Sequence, residues 1–303
     1  VSGDKSISIR WVLLASLAKG MSKAQNLLLS EDVLGAIKAI KKLGIKVKFK
    51  KNYCIINGQG INGYNFKKNV VINAQNSATL GRLLLGLLVN TNKQIKIIGD
   101  RSLSKRDFSR VTEPLKRFGA KIKTYNKLLP VKILGRKILK PITYFEKKGS
   151  AQCKSAVMFA ALRTPGITKI KAKKSRDHTE RMFKSLKLPI KLKSTKYYDF
   201  INIRGISEYD SFDYKIPGDI SSSAFFIVLT ALSENSELLI KNVNINPSRL
   251  GIITILKKMG VKIYFRNIKT YKGEKNADIK IKGPKKLKAI RCPKNLNSGA
   301  IDE

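Results

Sequence analysis

The sequence is poor in the residues that most often carry metal and redox chemistry. It has one histidine, His178, and three cysteines in 303 residues. A lone histidine cannot anchor a two-histidine metal site. Cys54, Cys153 and Cys292 are odd in number and far apart, which argues against a disulfide framework or a cysteine metal site and fits a reducing cytoplasm. Long apolar runs are missing as well. The longest, Leu83 to Val89 and Ala224 to Leu229, fall well short of the roughly 20 residues that a membrane span needs. No signal peptide and no amphipathic, Arg-rich leader is visible. The opening residues already read as part of a motif, so the natural N-terminus is expected upstream.

Acid is scarce too, with 20 Asp and Glu against 62 Lys and Arg, for a net charge of +42. The lysines are spread among Ile and Asn along the whole chain. Such a coat attracts polyanions without selecting among them. No stretch interleaves basic and aromatic residues as nucleic-acid recognition modules do. The same charge suits small anionic substrates. Hydrophobic residues make up 43%, ordinary for a folded soluble protein, and the length suggests two domains rather than one core.

What the chain does have is a repeat. Four segments pair an apolar-periodic helix with two strands, about every 70 residues. They are Val33 to Gly44 with Ile45 to Lys50 and Tyr53 to Ile56; Val111 to Gly119 with Ala120 to Thr124 and Pro130 to Ile133; Thr179 to Leu188 with Pro189 to Lys193 and Phe200 to Ile203; and Leu250 to Gly260 with Val261 to Phe265 and Ala277 to Ile281. The pattern predicts glycine stopping each helix in a left-handed turn. A second helix precedes each segment, opening at Ser6 to Ser8, Asn76 to Thr79, Ser150 to Gln152 or Ser221 to Ser223. These helices are apolar nearly all round, which predicts burial. Their Ser, Thr and Asn starts are explained by capping alone. They equally fit several helix N-termini meeting at one anion-binding surface.

Collinear motifs then resemble one family. Gly3-Asp4-Lys5-Ser6-Ile7-Ser8-Ile9-Arg10 is similar to the opening signature of 5-enolpyruvylshikimate-3-phosphate synthases. Asn76-Ser77-Ala78-Thr79 with Arg82, Gly99 to Leu103 through Lys105-Arg106 to Leu115, Ser150-Ala151-Gln152, Ser175 to Glu180, Pro217-Gly218-Asp219 and Ala300 to Glu303 follow in the family's order. The resemblance implies an α/β (α+β) enolpyruvyl transferase fold, an inside-out α/β barrel of two domains made from repeated helix-and-small-sheet units. Residues 4–216 would form one complete three-unit domain. Residues 1–3 with 217–303 would form part of the second, its remaining units lying beyond 303. As a piece, the chain is expected to be unable to complete catalysis at a normal rate; the complete enzyme is expected to be a cytoplasmic monomer.

The family reaction, as the resemblance implies it, adds the 5-hydroxyl of shikimate 3-phosphate to C2 of phosphoenolpyruvate, protonates C3 and expels phosphate, without metal or organic cofactor. Carried over residue by residue, Lys5 contacts both substrates and stabilises developing charge. Ser6 and Arg10 hold the shikimate part, Arg10 forking its carboxylate. Ser150, Ala151 and Gln152 sit on shikimate 3-phosphate, with Ser150 and Arg176 at its phosphate. Ala78, Thr79, Arg106 and Gln152 hold phosphoenolpyruvate. Asp302 matches the family's proposed base for the 5-hydroxyl, and Glu303 reads as its structural neighbour. Cys153 reads as a core residue, and His178 as support for Arg176.

Four departures stand out: Ser2 for the usual Pro, Ile9 for a frequent His, Asp107-Phe108 for Pro-Met, and Ala78 for Gly. An acid beside Arg106 is expected to weaken its hold on phosphate. The Ala78 methyl is expected to narrow the phosphoenolpyruvate pocket and confer glyphosate tolerance, as in the glyphosate-insensitive class. Two readings compete. One is the related transferase acting on UDP-N-acetylglucosamine, whose reactive cysteine loop is not visible. The other is a basic nucleic-acid-binding module. The string Gly58-Gln-Gly60-Ile-Asn-Gly63 is no dinucleotide site, because a strand rather than a helix follows it.

Overall fold

The architecture was taken from a computed structural model, which describes residues 1–293 and 296–300. The repeat is visible directly. The first unit runs α1 (Lys5–Leu17), β1 (Lys19–Gln25), α2 (Glu31–Lys42), β2 (Lys46–Lys50) and β3 (Tyr53–Gln59). The second runs β4 (Val70–Asn73), α3 (Ala78–Leu87), β5 (Ile95–Ile98), the short α4 (Arg101–Ser104), α5 (Ser109–Arg117), β6 (Lys121–Tyr125) and β7 (Leu128–Leu134). The third runs β8 (Thr143–Glu146), α6 (Ala151–Leu162), β9 (Ile167–Lys173), α7 (His178–Ser185), β10 (Ile190–Ser194) and β11 (Tyr198–Arg204). After β12 (Tyr214–Lys215), the fourth runs α8 (Ile220–Leu232), β13 (Glu237–Asn244), α9 (Gly251–Lys258), β14 (Lys262–Tyr271) and β15 (Glu274–Lys282), and α10 (Asn297–Ala300) follows.

Each of the first three units owns a mixed sheet in which a short edge strand runs parallel to its neighbour. The strand orders are β12-β1-β3-β2, β4-β5-β7-β6 and β8-β9-β11-β10. β12 comes last in sequence yet completes the first sheet, pairing Ala24 with Tyr214, so the chain returns to the first unit after the third. The fourth unit has a sheet of order β13-β15-β14. Burial divides the same way. One apolar cluster runs from Ile7 to Ile216 and a separate one from Ile220 to Ile281.

Glycine stops three of the outer helices, with Gly44, Gly119 and Gly260 at φ of 93°, 112° and 97°. The third unit has no glycine there, and Lys187 takes the left-handed conformation at φ 54°. The inner helices α1, α3 and α6 are buried nearly all round, as the pattern predicts. α8 departs from it. Phe225 is 80% exposed, Leu232 69% and Leu229 63%. It is as apolar as its counterparts, but among the described residues elements pack on one side of it. No helix among the described residues is long and apolar enough to cross a membrane.

Capping also differs from the serine pattern at two of the four starts. Ser77 and Ser150 cap α3 and α6 through their hydroxyls. α1 and α8 begin instead at Asp4 and Asp219, whose carboxylates accept from Ile7 and Ser221 backbone N–H groups. Ser6 and Ser221 lie just inside those helices, where a carboxylate is the stronger acceptor for the orphan N–H groups.

The stretches around Gly3 and Gly218, each leading into an inner helix, run side by side. Gly3 bridges Gly218 in antiparallel fashion. The Asp4 N–H donates to the Pro217 carbonyl at 2.8 Å, and the Asp219 N–H to that of Ser2 at 3.0 Å. A Cβ on Gly3 would lie 2.0 Å from the Asn26 carbonyl oxygen, so only glycine permits this close approach.

Candidate active site

The starts of the inner helices meet at one cleft of about 680 Å³. Its walls carry Lys5 and Ser6 from α1, Ser77, Ala78 and Thr79 from α3, Gln152 from α6, and Asp219, Ser221 and Ser222 from α8. Arg106, Arg176 and Arg249 line it too. Helix N-termini present free N–H groups and partial positive charge, and fixed guanidinium groups add to both. The cleft is therefore built to hold anions with more than one charged group. A smaller cavity of about 390 Å³ lies beyond Arg176, lined by Lys174, Asp177, Ser248 and Gly299 among others. It contains none of the inner-helix starts.

Lys5 is half exposed and pairs with Asp32, the ammonium lying 3.3 Å from the carboxylate. Its own backbone N–H donates to Asp219 Oδ2 at 3.1 Å. Gln152 is clamped: Arg82 Nη1 donates to its Oε1 at 2.6 Å, and its Nε2 donates to Thr79 Oγ1 at 3.0 Å. Arg82 stacks on Phe108, with 5.5 Å from guanidinium carbon to ring centroid, and burial lowers its pKa. Arg106 Nη2 donates to Asn76 Oδ1 at 3.4 Å.

Other expected site residues lie elsewhere. Arg10 is buried and does not line the cleft. Its guanidinium donates to Thr179 Oγ1 at 2.7 Å, to the Ser6 carbonyl at 2.9 Å and to Ser155 Oγ at 3.2 Å. Burial pushes its pKa down to about 10. Ser150 is the cap of α6; its Oγ accepts from the Cys153 N–H, and its own N–H donates to Glu146 Oε2 at 2.8 Å. Ala151 opens that helix beside it. Cys153 is fully buried. Asp302 and Glu303 lie outside the described residues.

Two departures from the family pattern find local reasons. Asp107 turns its carboxylate onto the Ser109 N–H at 2.6 Å, at the start of α5. The Ser109 side chain chiefly holds its pKa below the usual range. Phe108 is fully buried and seals the floor under Gly81 and Arg82. Ile9, where a histidine is frequent, is likewise core.

His178 is a buried residue at the start of α7. Its Nδ1 lies 2.7 Å from Glu274 Oε1 and its Nε2 3.4 Å from Arg249 Nη1. Asp32, Asp219, Ser221 and Arg249 are cleft residues that sequence reasoning missed. Asp219 and Ser221 sat inside a recognised motif and were legible as a helix start. Asp32 and Arg249 carry no local signal, because long-range folding alone brings them there.

The comparisons with known proteins agree. A family model described as EPSP synthase (3-phosphoshikimate 1-carboxyvinyltransferase) matches residues 1–298. The 3-phosphoshikimate 1-carboxyvinyltransferase of Ruthia magnifica subsp. Calyptogena magnifica is 40% identical over 304 residues, covering 100% of this chain and 68% of that protein. The enzyme of the same name from Caldicellulosiruptor saccharolyticus is 40% identical over 309 residues, covering 100% and 70%. A solved EPSP synthase structure from Acinetobacter baumannii superposes with a TM-score of 0.88 at 36% identity, covering 100% of this chain and 68% of that one. With its repeated units, its helix-start cleft and these relatives, the chain belongs to the EPSP synthase family.

Proposed function

We propose that the cleft transfers the enolpyruvyl group of phosphoenolpyruvate to the 5-hydroxyl of shikimate 3-phosphate, releasing phosphate. The observation that carries this reading is the meeting of Lys5, Arg106, Arg176 and four helix starts at one cavity. Both substrates are polyanions, and the charge that develops between them needs donors already in place. Lys5 reaches both substrates once it exchanges Asp32 for them. Arg176 takes the 3-phosphate, together with Ser150. Arg106, Ala78, Thr79 and Gln152 hold phosphoenolpyruvate, with Gln152 fixed by Arg82. Asp107 leaves Arg106 its phosphate-binding role, because its own charge is engaged by α5. Arg10 supports Ser6 from below and forks the shikimate carboxylate only by exchanging an internal bond. Asp302 serves as base for the 5-hydroxyl. Residues 4–216 act as one domain and 1–3 with 217–303 belong to a second; the two separate cores support this division.

Titration of shikimate 3-phosphate by calorimetry, with unphosphorylated shikimate as control, tests the reading. Saturable binding that needs the phosphate and is lost in Arg176→Ala is expected. A folded chain that ignores shikimate 3-phosphate overturns it. Ala78, buried at the first residue of α3, supports a finer proposal. Its methyl narrows the phosphoenolpyruvate pocket and excludes the longer inhibitor glyphosate. Ala78→Gly is expected to increase glyphosate sensitivity at least about tenfold, the scale of one misfitting group. Low-micromolar inhibition of the unsubstituted protein contradicts the proposal.

A further inference from the structure

From the cleft wall inward runs a cluster of buried charge to which the proposed reaction gives no role. Arg249 is 2% exposed, His178 1%, and Asp4 and Glu274 0%. Arg249 Nη1 donates to Asp4 Oδ2 at 3.4 Å, and Nη2 donates to Asp219 Oδ1 at 3.3 Å and to Ser221 Oγ at 2.6 Å. One guanidinium therefore holds both capping carboxylates, that of α1 and that of α8. Because its N–H groups donate, His178 Nε2 accepts from Nη1, and Nδ1–H donates to Glu274. Glu274 Oε2 also accepts from Asn244 and Asn246. Asn246 Nδ2 in turn donates to Asp177 Oδ1 at 2.7 Å, the neighbour of Arg176.

Burying so many charges is a poor route to stability, since desolvation offsets most of the Coulomb gain. What the cluster does provide is a set of bonds that ties the starts of α1 and α8 to each other and to the stretch that carries Arg176. Asp219 accepts the Lys5 N–H on Oδ2 and the Ser221 N–H on Oδ1. The first turn of α1 is thus tied to the capping carboxylate of α8, and that carboxylate is tied to Arg249. At the far end, the same bonds reach the loop that carries Arg176.

We propose that Arg249 is a positioning residue, which with His178 and Glu274 behind it holds Lys5 in place at the substrate cleft. The inference rests on the proposed function. Misplacement of a reacting group by about 1 Å can cost on the order of 10²-fold, so an arginine held at the cleft wall by buried partners can govern how well Lys5 acts.

A double-mutant cycle with the full chain tests this. Shikimate 3-phosphate affinity is measured for wild type, Lys5→Ala, Arg249→Lys and the double variant, alongside exchange of the Lys5 and Ser221 amides by NMR. Each single change is expected to weaken binding about tenfold. The double variant is expected to bind no worse than Lys5→Ala, because Arg249 acts through Lys5. The Lys5 and Ser221 amides are expected to exchange faster in Arg249→Lys. Losses that multiply, or wild-type affinity in Arg249→Lys, overturn the positioning role and leave the functional reading standing. No binding by the folded wild type overturns both. Should Arg249→Lys not fold, Glu274→Gln replaces it, keeping the shape while removing the charge that anchors His178. The same coupling is expected there, and its absence overturns the proposal.

Discussion

The inner helices α6 and α8 have nearly the same design and opposite surroundings. Both start at a capped polar turn and continue almost without charge. α6 packs against α3 and α5 inside the three-unit core, and Cys153 through Leu162 are all buried. α8 buries Ile220, Ala224 and Ile227 on its own sheet but leaves Phe225, Leu229 and Leu232 in water. An apolar pattern therefore fixes which residues are fit for burial, while neighbouring units decide which are buried.

The largest effects are expected inside the three-unit core. Lys154 on α6 and Glu180 on α7 are buried together with 2.5 Å between Nζ and Oε1. Removing one partner strands the other charge without solvent. Lys154→Met is expected to cost about 3–5 kcal/mol, while Lys154→Met with Glu180→Leu costs far less. Urea unfolding of both variants checks this; a single variant as stable as the double denies the pair its role. Next comes a matched pair of truncations. Leu84→Ala, at a fully buried position, is expected to cost about 2–5 kcal/mol. Leu229→Ala, 63% exposed on α8, is expected to stay within about 0.5 kcal/mol. Equal losses erase the contrast between the two regions.

The seam between the regions is expected to respond to acid. Burial pushes Glu274 up, but His178, Asn244 and Arg181 outweigh it and hold its pKa below the ordinary 4.5. Burial likewise opposes Asp177, where Arg181 and Asn246 prevail and keep it below 3.8. A depressed folded pKa gives stability that is full above the unfolded value and lost as pH falls through the folded one. Asp4 works the other way: burial and then Asp219 raise it, so its ionised form favours unfolding. Through Glu274 and Asp177 the seam is expected to loosen as pH falls below 4.5, with Asp4 opposing. Exchange of the Gly218 and Asp219 amides, corrected for intrinsic rate, should accelerate there before that of Leu84. Simultaneous acceleration means that the seam has no separate titration.

The sequence made the repeated units legible because they rest on local signals: helical periodicity, strand alternation and turn glycines. Even Lys187, standing where the other units have glycine, did not hide the third one. Cleft residues such as Lys5, Thr79 and Gln152 were legible through motifs that resemble the family's, set at helix starts that the pattern also marked. The buried cluster was not. His178 sits one residue from Asp177 and two from Arg176, so sequence distance pointed to Arg176, whereas the fold brings Glu274 from 96 residues away. The identity of the caps was also missed. Serines dominate all four starts, yet at α1 and α8 the preceding aspartate serves two roles, as cap and as partner of Arg249.

The smallest effect on folding, and the most direct reading of the contrast, belongs to the outer face of α8. Phe225, Leu229 and Leu232 are 80%, 63% and 69% exposed, and contiguous apolar surface of this kind promotes association. Phe225 also lines the cleft, so Leu229 and Leu232 make the cleaner probe. Leu229→Gln with Leu232→Gln is expected to reduce concentration-dependent light scattering and dye binding while leaving unfolding stability within about 0.5 kcal/mol. The same pair of changes at Leu83 and Leu84 of α3, both fully buried, is expected to unfold the chain, because polar amides there would lose water and find no partner. Unchanged scattering in the α8 variant would mean that this face stays solvated on its own, and that exposure of an apolar helix in this fold does not make it adhesive.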